Sequence, residues 1–192
     1  MRIAIIQGHP DPAGNRYGHA LANAYAQGAK AAGHGVEIID IARLDFPLLR
    51  TQAEWSSAAA PPSLQDAQKA IAAAEHIVIF FPLWLGTMPA LLKAFLEQVL
   101  RPGFAIEKSH GVGMWKKRLT GKSARIVVTM GMPAPIYRWF FRAHAIKVME
   151  RNILRFCGIA PIAESLIGSV EGKPAHRTKW LERMERLGAA GK

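Results

Sequence analysis

The sequence is short of three things. Of 192 residues only one is cysteine, Cys157, and 14 acidic side chains face 25 lysines and arginines. A single thiol forms no internal disulfide, and it has no CxxC partner or Cys/His cluster of zinc-binding spacing. A disulfide scaffold is therefore excluded, no metal is expected, and a reducing, cytoplasmic setting fits. No apolar run approaches the ~18 to 20 residues that span a bilayer, and Met1 leads into a strand-like segment without the regions of a secretory signal. The expectation is a soluble, unprocessed chain with no transmembrane segment. The scarcity of acid gives a formal charge of +11, a field that favours anionic partners, nucleic acid or phosphorylated cofactors among them. The basic residues are scattered, with modest concentrations at 116–125 and 173–187 and no zinc-finger or RNA-binding signature. Most read as solvated surface, and no nucleic-acid partner is expected.

What is present is a length and an apolar content, half of all residues, that suit one domain over residues 1–192. Residues 2–7 form a continuous apolar strand. From Tyr17 the apolar positions follow helical spacing, and Gly33 is placed to close that helix. A second strand is read at 35–41, followed by a long irregular connection. Ser63 and Asp66 have the spacing of a capping box for a helix running to about Glu75. Residues 76–82 supply a third strand, and Pro89 opens a helix whose buried stripe is Leu91, Leu92, Phe95, Leu96, Val99 and Leu100, with Lys93 and Glu97 paired outside it. An excursion of about twenty residues precedes a fourth strand at 123–130. The stretch from Ile136 to Cys157 lacks proline and glycine and reads as one helix; a fifth strand at 162–168 and an amphipathic helix at 174–187 complete the pattern. Apolar strands alternating with helices predict a parallel sheet covered on both faces, a three-layer α/β sandwich of order 2-1-3-4-5.

In such sheets a ligand binds beyond the carboxyl ends of the strands, where the order reverses. The loops at 8–16, 82–88 and 130–137 converge there, and all three are unusual. In the first, "GHPDPAGNRYG" leads into a helix start, and the amides around Gly14, Asn15 and Arg16 form a natural anion cradle. A ligand-free turn rich in Pro and Gly is the alternative. Neither GxGxxG nor GxxxxGK[ST] is present, so the dinucleotide and P-loop fingerprints are excluded. In the second, "PLWLGTMP", Trp84, Leu85 and Gly86 offer an apolar wall and free backbone groups suited to a planar ring. The third, "TMGMPAPIY", places Gly131 beside two prolines and ends at Tyr137, whose phenol can donate a hydrogen bond.

The blocks "GHPDPAGN", "FPLWLGTMPALLKAFLEQVLRPGFA" and "GKSARIVVTMGMP" resemble the NAD(P)H:quinone oxidoreductase and modulator-of-drug-activity group of flavodoxin-like flavoproteins, over residues 1 to about 140. The resemblance implies a bound flavin, FAD or FMN, reduced by NAD(P)H and reoxidised by a quinone-like acceptor in a ping-pong cycle. It places His9, Gly14, Asn15 and Tyr17 around the flavin phosphates; the loop itself offers Arg16 as a further side-chain donor. Pro82, Leu83, Trp84 and Leu85 then flank the ring, and Thr129, Gly131 and Tyr137 line its polar edge. Tyr137 and His144 are implied as the catalytic pair, and Glu97 as a contact near an FAD adenylate. The chain departs from the pattern at Ala13, Gly14 and Asn15, where a serine or threonine is common. It departs again at Leu85, where a tryptophan is expected, and at Ile106 and Lys108, where aromatics line the substrate pocket.

The same group contains flavin-bearing ancillary subunits of potassium efflux systems, so docking to a membrane protein is the alternative function. A homodimer is expected, with "YRWFFRAH" (137–144) as a candidate surface. The basic excess fits the extra phosphate of NADPH, although no single residue is assigned to it.

Overall fold

The computed structural model describes residues 1–56, 59–108 and 115–192. Seven strands lie among them: β1 (Arg2–Gln7), β2 (Gly35–Asp40), β3 (His76–Pro82), β4 (Ile106–Lys108), β5 (Trp115–Lys117), β6 (Ser123–Thr129) and β7 (Ile162–Ile167). Five of these pair in parallel in the order β2-β1-β3-β6-β7, which is the expected 2-1-3-4-5. The register sets Ile6 beside Ile39 and Ile79, and Pro82 beside Thr129, so the strands finish together at one edge.

Side chains alternate across the sheet, which explains why the strands are apolar throughout rather than half polar. Ile3, Ile5, Val78, Phe80, Val127 and Ile167 face α1 (Tyr17–Ala31) and the C-terminal helix Pro174–Ala189, where they meet Leu21, Tyr25 and Met184. Ala4, Ile6, Ile79, Phe81, Ile126 and Val128 face the other way, into a core with Ile71, Leu92, Phe95, Ile146 and Met149. α1 and the C-terminal helix touch through glycine. A Cβ on Gly28 would overlap the Glu185 carbonyl, and one on Gly188 would overlap that of Tyr25.

The remaining helices are α2 (Gln52–Ser56), α3 (Gln65–Ala73), α4 (Ala90–Val99), α5 (Ala134–Trp139), α6 (His144–Lys147) and α7 (Arg155–Cys157), so the C-terminal helix is α8. Four regions differ from the sequence reading. The connection after β2 is not wholly irregular: Asp40 caps a 3-10 turn at Ile41–Arg43 by accepting from the Ala42 amide, 3.2 Å. α2 follows in the same connection. There Thr51 accepts the Glu54 amide, 3.2 Å, and the Glu54 carboxylate accepts the Arg50 amide, 2.8 Å.

The capping box expected at Ser63 and Asp66 does not form. Pro62 starts a 3-10 turn (Pro62–Leu64) that contains Ser63, α3 begins at Gln65 without a side-chain cap, and Asp66 pairs with Lys69 at 2.8 Å. The excursion before β6 contains the antiparallel pair β4 and β5, and its residues 109–114 lie outside the described ones. Finally, the single helix expected over 136–157 is broken after Trp139. Arg142 and Ala143 adopt left-handed backbone, φ 53° and 48°, before α6 begins; α6 then runs through a π-helical stretch, Val148–Leu154, into α7.

Candidate active site

The loops that follow β1, β3 and β6 leave the same edge of the sheet. At the end of β1 the buried Gln7 side chain accepts the His9 amide, 3.1 Å, and donates to the Gly18 carbonyl, 3.2 Å, tying the loop to the start of α1. Gly8 passes so close to β3 that a Cβ there would stand 2.7 Å from the Phe80 carbonyl oxygen, which leaves glycine as the residue that fits. Asp11 organises the next turn. One oxygen accepts the Ala13 amide, 2.9 Å, and the other accepts Arg16 Nε, 2.7 Å; the amide first and the guanidinium second hold its carboxyl below the usual range.

The Asp11 amide donates to His9 Nδ1 at 3.1 Å, so the neutral ring carries its proton on Nε2. Burial, then His19, with Arg16 a smaller influence, push the His9 pKa down, against the pull of Asp11. The His9 ring lies 5.2 Å from that of His19 and meets Trp84 edge-on at 5.7 Å, which joins the first loop to the second.

The amino end of α1 has the features of an anion site. Arg16 occupies the N-cap without a side-chain hydrogen bond, and the first turn contains no acidic residue. The His19 amide donates to the Arg16 carbonyl, 2.9 Å, while the amides of Tyr17 and Gly18 ahead of it receive no capping oxygen from the Arg16 side chain. Gly14, at φ 71°, turns the chain into the helix, and Arg43 reaches the Pro12 carbonyl at 3.5 Å, adding a second guanidinium. His19, in that first turn, is 7% exposed, and among the described residues neither ring nitrogen has a partner. A buried imidazole left unpaired is costly, so this one calls for an outside polar group. Tyr17 contributes its backbone here; its hydroxyl donates to the Arg177 carbonyl at 2.9 Å and so locks α1 to α8.

In the second loop Leu83 donates its amide to the Thr129 carbonyl, 2.8 Å, fixing Pro82 and Leu83 against β6. Trp84 and Thr87 exchange two backbone hydrogen bonds, 2.9 and 3.0 Å, around Leu85 (φ 47°) and Gly86 (φ 79°). That is a tight turn with two left-handed centres, which Gly86 accepts freely and Leu85 only under strain. The turn thrusts Leu85 fully into solvent beside a half-exposed Trp84.

The third loop begins at Thr129, buried, and Gly131, exposed. Tyr137 is 2% exposed, and its hydroxyl accepts the Ala145 amide at 3.2 Å. The phenol thus caps the start of α6, whose first residue, His144, is exposed. Burial raises the Tyr137 pKa, so the hydroxyl keeps a proton to donate.

Most of the sequence-derived residues are brought to this edge of the sheet; Glu97 is not. It lies about 12 Å along α4 from Pro89, pairs with Lys93, and lines a separate groove with Trp55, Asn152 and Phe156. Sequence reasoning missed Gln7 and His19. The signal for His19 was its place on the stripe His19, Ala22, Ala26, Ala29, the buried face of α1.

Comparison with known proteins follows the same lines. A Haemophilus influenzae protein named "Uncharacterized NAD(P)H oxidoreductase" is 27% identical over 176 residues, 88% of this chain and 85% of its own length. A Yersinia enterocolitica potassium-efflux ancillary protein, KefG, is 47% identical over 66 residues, 33% of either chain. The solved NAD(P)H:quinone oxidoreductase from Methanothermobacter marburgensis superposes with a TM-score of 0.86 at 22% identity, over all of this chain and 99% of that one. An FMN-dependent NADH-azoreductase from Bacillus anthracis, solved with FMN, gives 0.77 at 14% identity over 100% and 99%. Residues 1–188 match the flavodoxin-like fold family, and the chain belongs to it.

Proposed function

We propose that this chain is a flavin-dependent NAD(P)H:quinone oxidoreductase, a single unit over residues 1–192 acting in the cytoplasm. The observation that carries this reading is the coincidence, at the carboxyl edge where the strand order reverses, of an uncapped helix start, an unpartnered buried His19 and a tryptophan-bearing turn. The helix start is chemically suited to a phosphate, and Trp84 and Leu85 to the flat ring that goes with it. The names of the relatives point to the same cofactor and to a quinone-like acceptor.

The flavin, FAD or FMN, supplies the hydride chemistry when bound, accepting from NAD(P)H and passing reducing equivalents to the acceptor. The chain binds and orients. The amides at Gly14, Asn15 and Tyr17, with Arg16 and the Nε2–H of His9, hold the phosphate, and His19 supplies the buried donor behind them. Pro82, Leu83, Trp84, Leu85 and Gly86 form the wall for the ring, and Thr129 and Gly131 lie along its polar edge. Tyr137 and His144 are the catalytic candidates: the phenol, anchored by the Ala145 amide, offers its proton toward developing charge, and His144, exposed at the first position of α6, is in reach of solvent. Glu97 joins the site only for a cofactor long enough to carry an adenylate. The chain forms a homodimer through the exposed apolar cluster of Ile136, Trp139, Phe140 and Phe141.

Steady oxidation of NAD(P)H with benzoquinone, by purified flavin-loaded protein without a partner, tests the reading. Turnover supports the enzyme. Bound flavin with no turnover transfers the weight to the ancillary-subunit reading, whose support is the short KefG match over a third of the chain.

A further inference from the structure

The helical segment that follows α5 carries charge that the carboxyl-edge site does not use. From Gly131 to Cys157 the chain has five basic residues, Arg138, Arg142, Lys147, Arg151 and Arg155, against one acid, Glu150. Arg138 pairs with Glu164 at 2.8 Å, and Arg155 with Glu150 at 3.0 Å. Arg142, Lys147 and Arg151 are exposed, and among the described residues they make no ion pair. From α6 through α7 the exposed positions come in pairs, Lys147 with Val148, Arg151 with Asn152 and Arg155 with Phe156, and the buried Ile146, Met149, Leu154 and Cys157 alternate with them. The repeat is four residues. In an α-helix such a repeat drifts by about 40° per turn, whereas the wider π-helical turns of Val148–Leu154 take up much of that drift. The pairs therefore keep to one face, a basic stripe in which Val148 is 41% and Phe156 39% exposed.

A partner for this stripe must meet unpaired cations and apolar side chains on one narrow face. Nucleic acid neutralises the cations but gives Val148 nothing to bury against. An anionic bilayer surface takes both, since lysine and arginine reach the headgroups while apolar side chains enter the boundary beneath them. The net charge of +11 adds attraction at long range. We propose that the stripe docks the protein on an anionic lipid surface, with Lys147 and Arg151 on the headgroups and Val148 and Phe156 in the layer below. It lies beyond the aromatic cluster assigned to the dimer, and the hydrogen bond from the Ala145 amide to the Tyr137 hydroxyl ties its start to the third loop. The proposal stands apart from the flavin reading, because none of the docking residues belongs to the carboxyl-edge site.

The purified full chain is co-sedimented with vesicles of phosphatidylcholine and, separately, of equimolar phosphatidylcholine and phosphatidylglycerol, with or without bound flavin. The expected result is binding to the anionic vesicles that weakens as salt rises, and little binding to the neutral ones. Lys147→Gln with Arg151→Gln is expected to weaken the partition by about thirty-fold, and Val148→Ser by about five-fold at every salt concentration. Lys179→Gln with Arg186→Gln removes the same charge from α8, across the sheet, and is expected to change it by less than about three-fold. All five substituted positions lie on the outer surface, and the melting temperature checks that each variant is folded. Anionic vesicles that leave the parent chain in solution overturn the proposal. A loss in the α8 variant as large as in the stripe variant overturns it too, because it marks attraction to net charge alone. So does a Val148→Ser protein that binds as the parent does, which marks a purely electrostatic partner such as nucleic acid.

Discussion

Individual side chains divide into those whose chemistry was legible in sequence and those whose surroundings decide it. The Pro/Gly-rich first loop and "PLWLG" announced themselves by composition. The strain at Leu85 did not, because only the closed Trp84–Thr87 turn forces its φ to 47°. Leu85 packs against nothing, so Leu85→Gly is expected to raise stability by about 1 kcal/mol, read as a shift in the denaturation midpoint. His76 was an ordinary strand residue in the sequence. In the fold, burial and then Arg125 push its pKa from 6.5 down to about 4. Its folded form therefore resists protonation while the unfolded chain accepts it. The stability present above pH 6.5 is lost as pH falls toward 4, by about 3 kcal/mol in chloride buffer. Denaturation at stepped pH checks this, and the slope in that window flattens in His76→Gln.

Among elements, the ones that alternate most regularly were read with nearly their true limits, since burial on both faces makes a strand continuously apolar and burial on one face gives a helix its stripe. The reading failed where tertiary contacts overrode local preference. Nothing between Ile136 and Cys157 contains a proline or glycine, yet the chain breaks at Arg142 and Ala143, where the buried Tyr137 phenol takes the Ala145 amide. The helix cap was read at Ser63 and Asp66, whereas Thr51, with the same spacing to Glu54, accepts the Glu54 amide, and the Glu54 carboxylate reaches back to the Arg50 amide. The contact between α1 and α8 was invisible in sequence because it joins residues about 160 apart. Gly28→Ala drives a methyl into the Glu185 carbonyl, and a loss of about 2 kcal/mol is expected, measurable by urea denaturation. Tyr17, which bridges the same two helices, is expected to loosen with it.

For the whole molecule, the strand order was inferable because five apolar strands joined by helices leave few right-handed arrangements. The convergence of three loops followed from that order. The three loops were legible because each carries unusual residues. The exposed cluster of Trp139 (79%) and Phe140 (78%) is large for a surface left to water. Sedimentation of the parent chain is expected to give a dimer, and Trp139→Ser with Phe140→Ser a monomer; a parent chain that is strictly monomeric contradicts that assignment. The central claim concerns the carboxyl edge of the sheet, and a visible spectrum of the purified protein with mass identification of the released cofactor tests it most directly. The account predicts a yellow protein with one FAD or FMN per chain, bleached by NAD(P)H and restored by benzoquinone. A colourless protein that takes up neither flavin contradicts it.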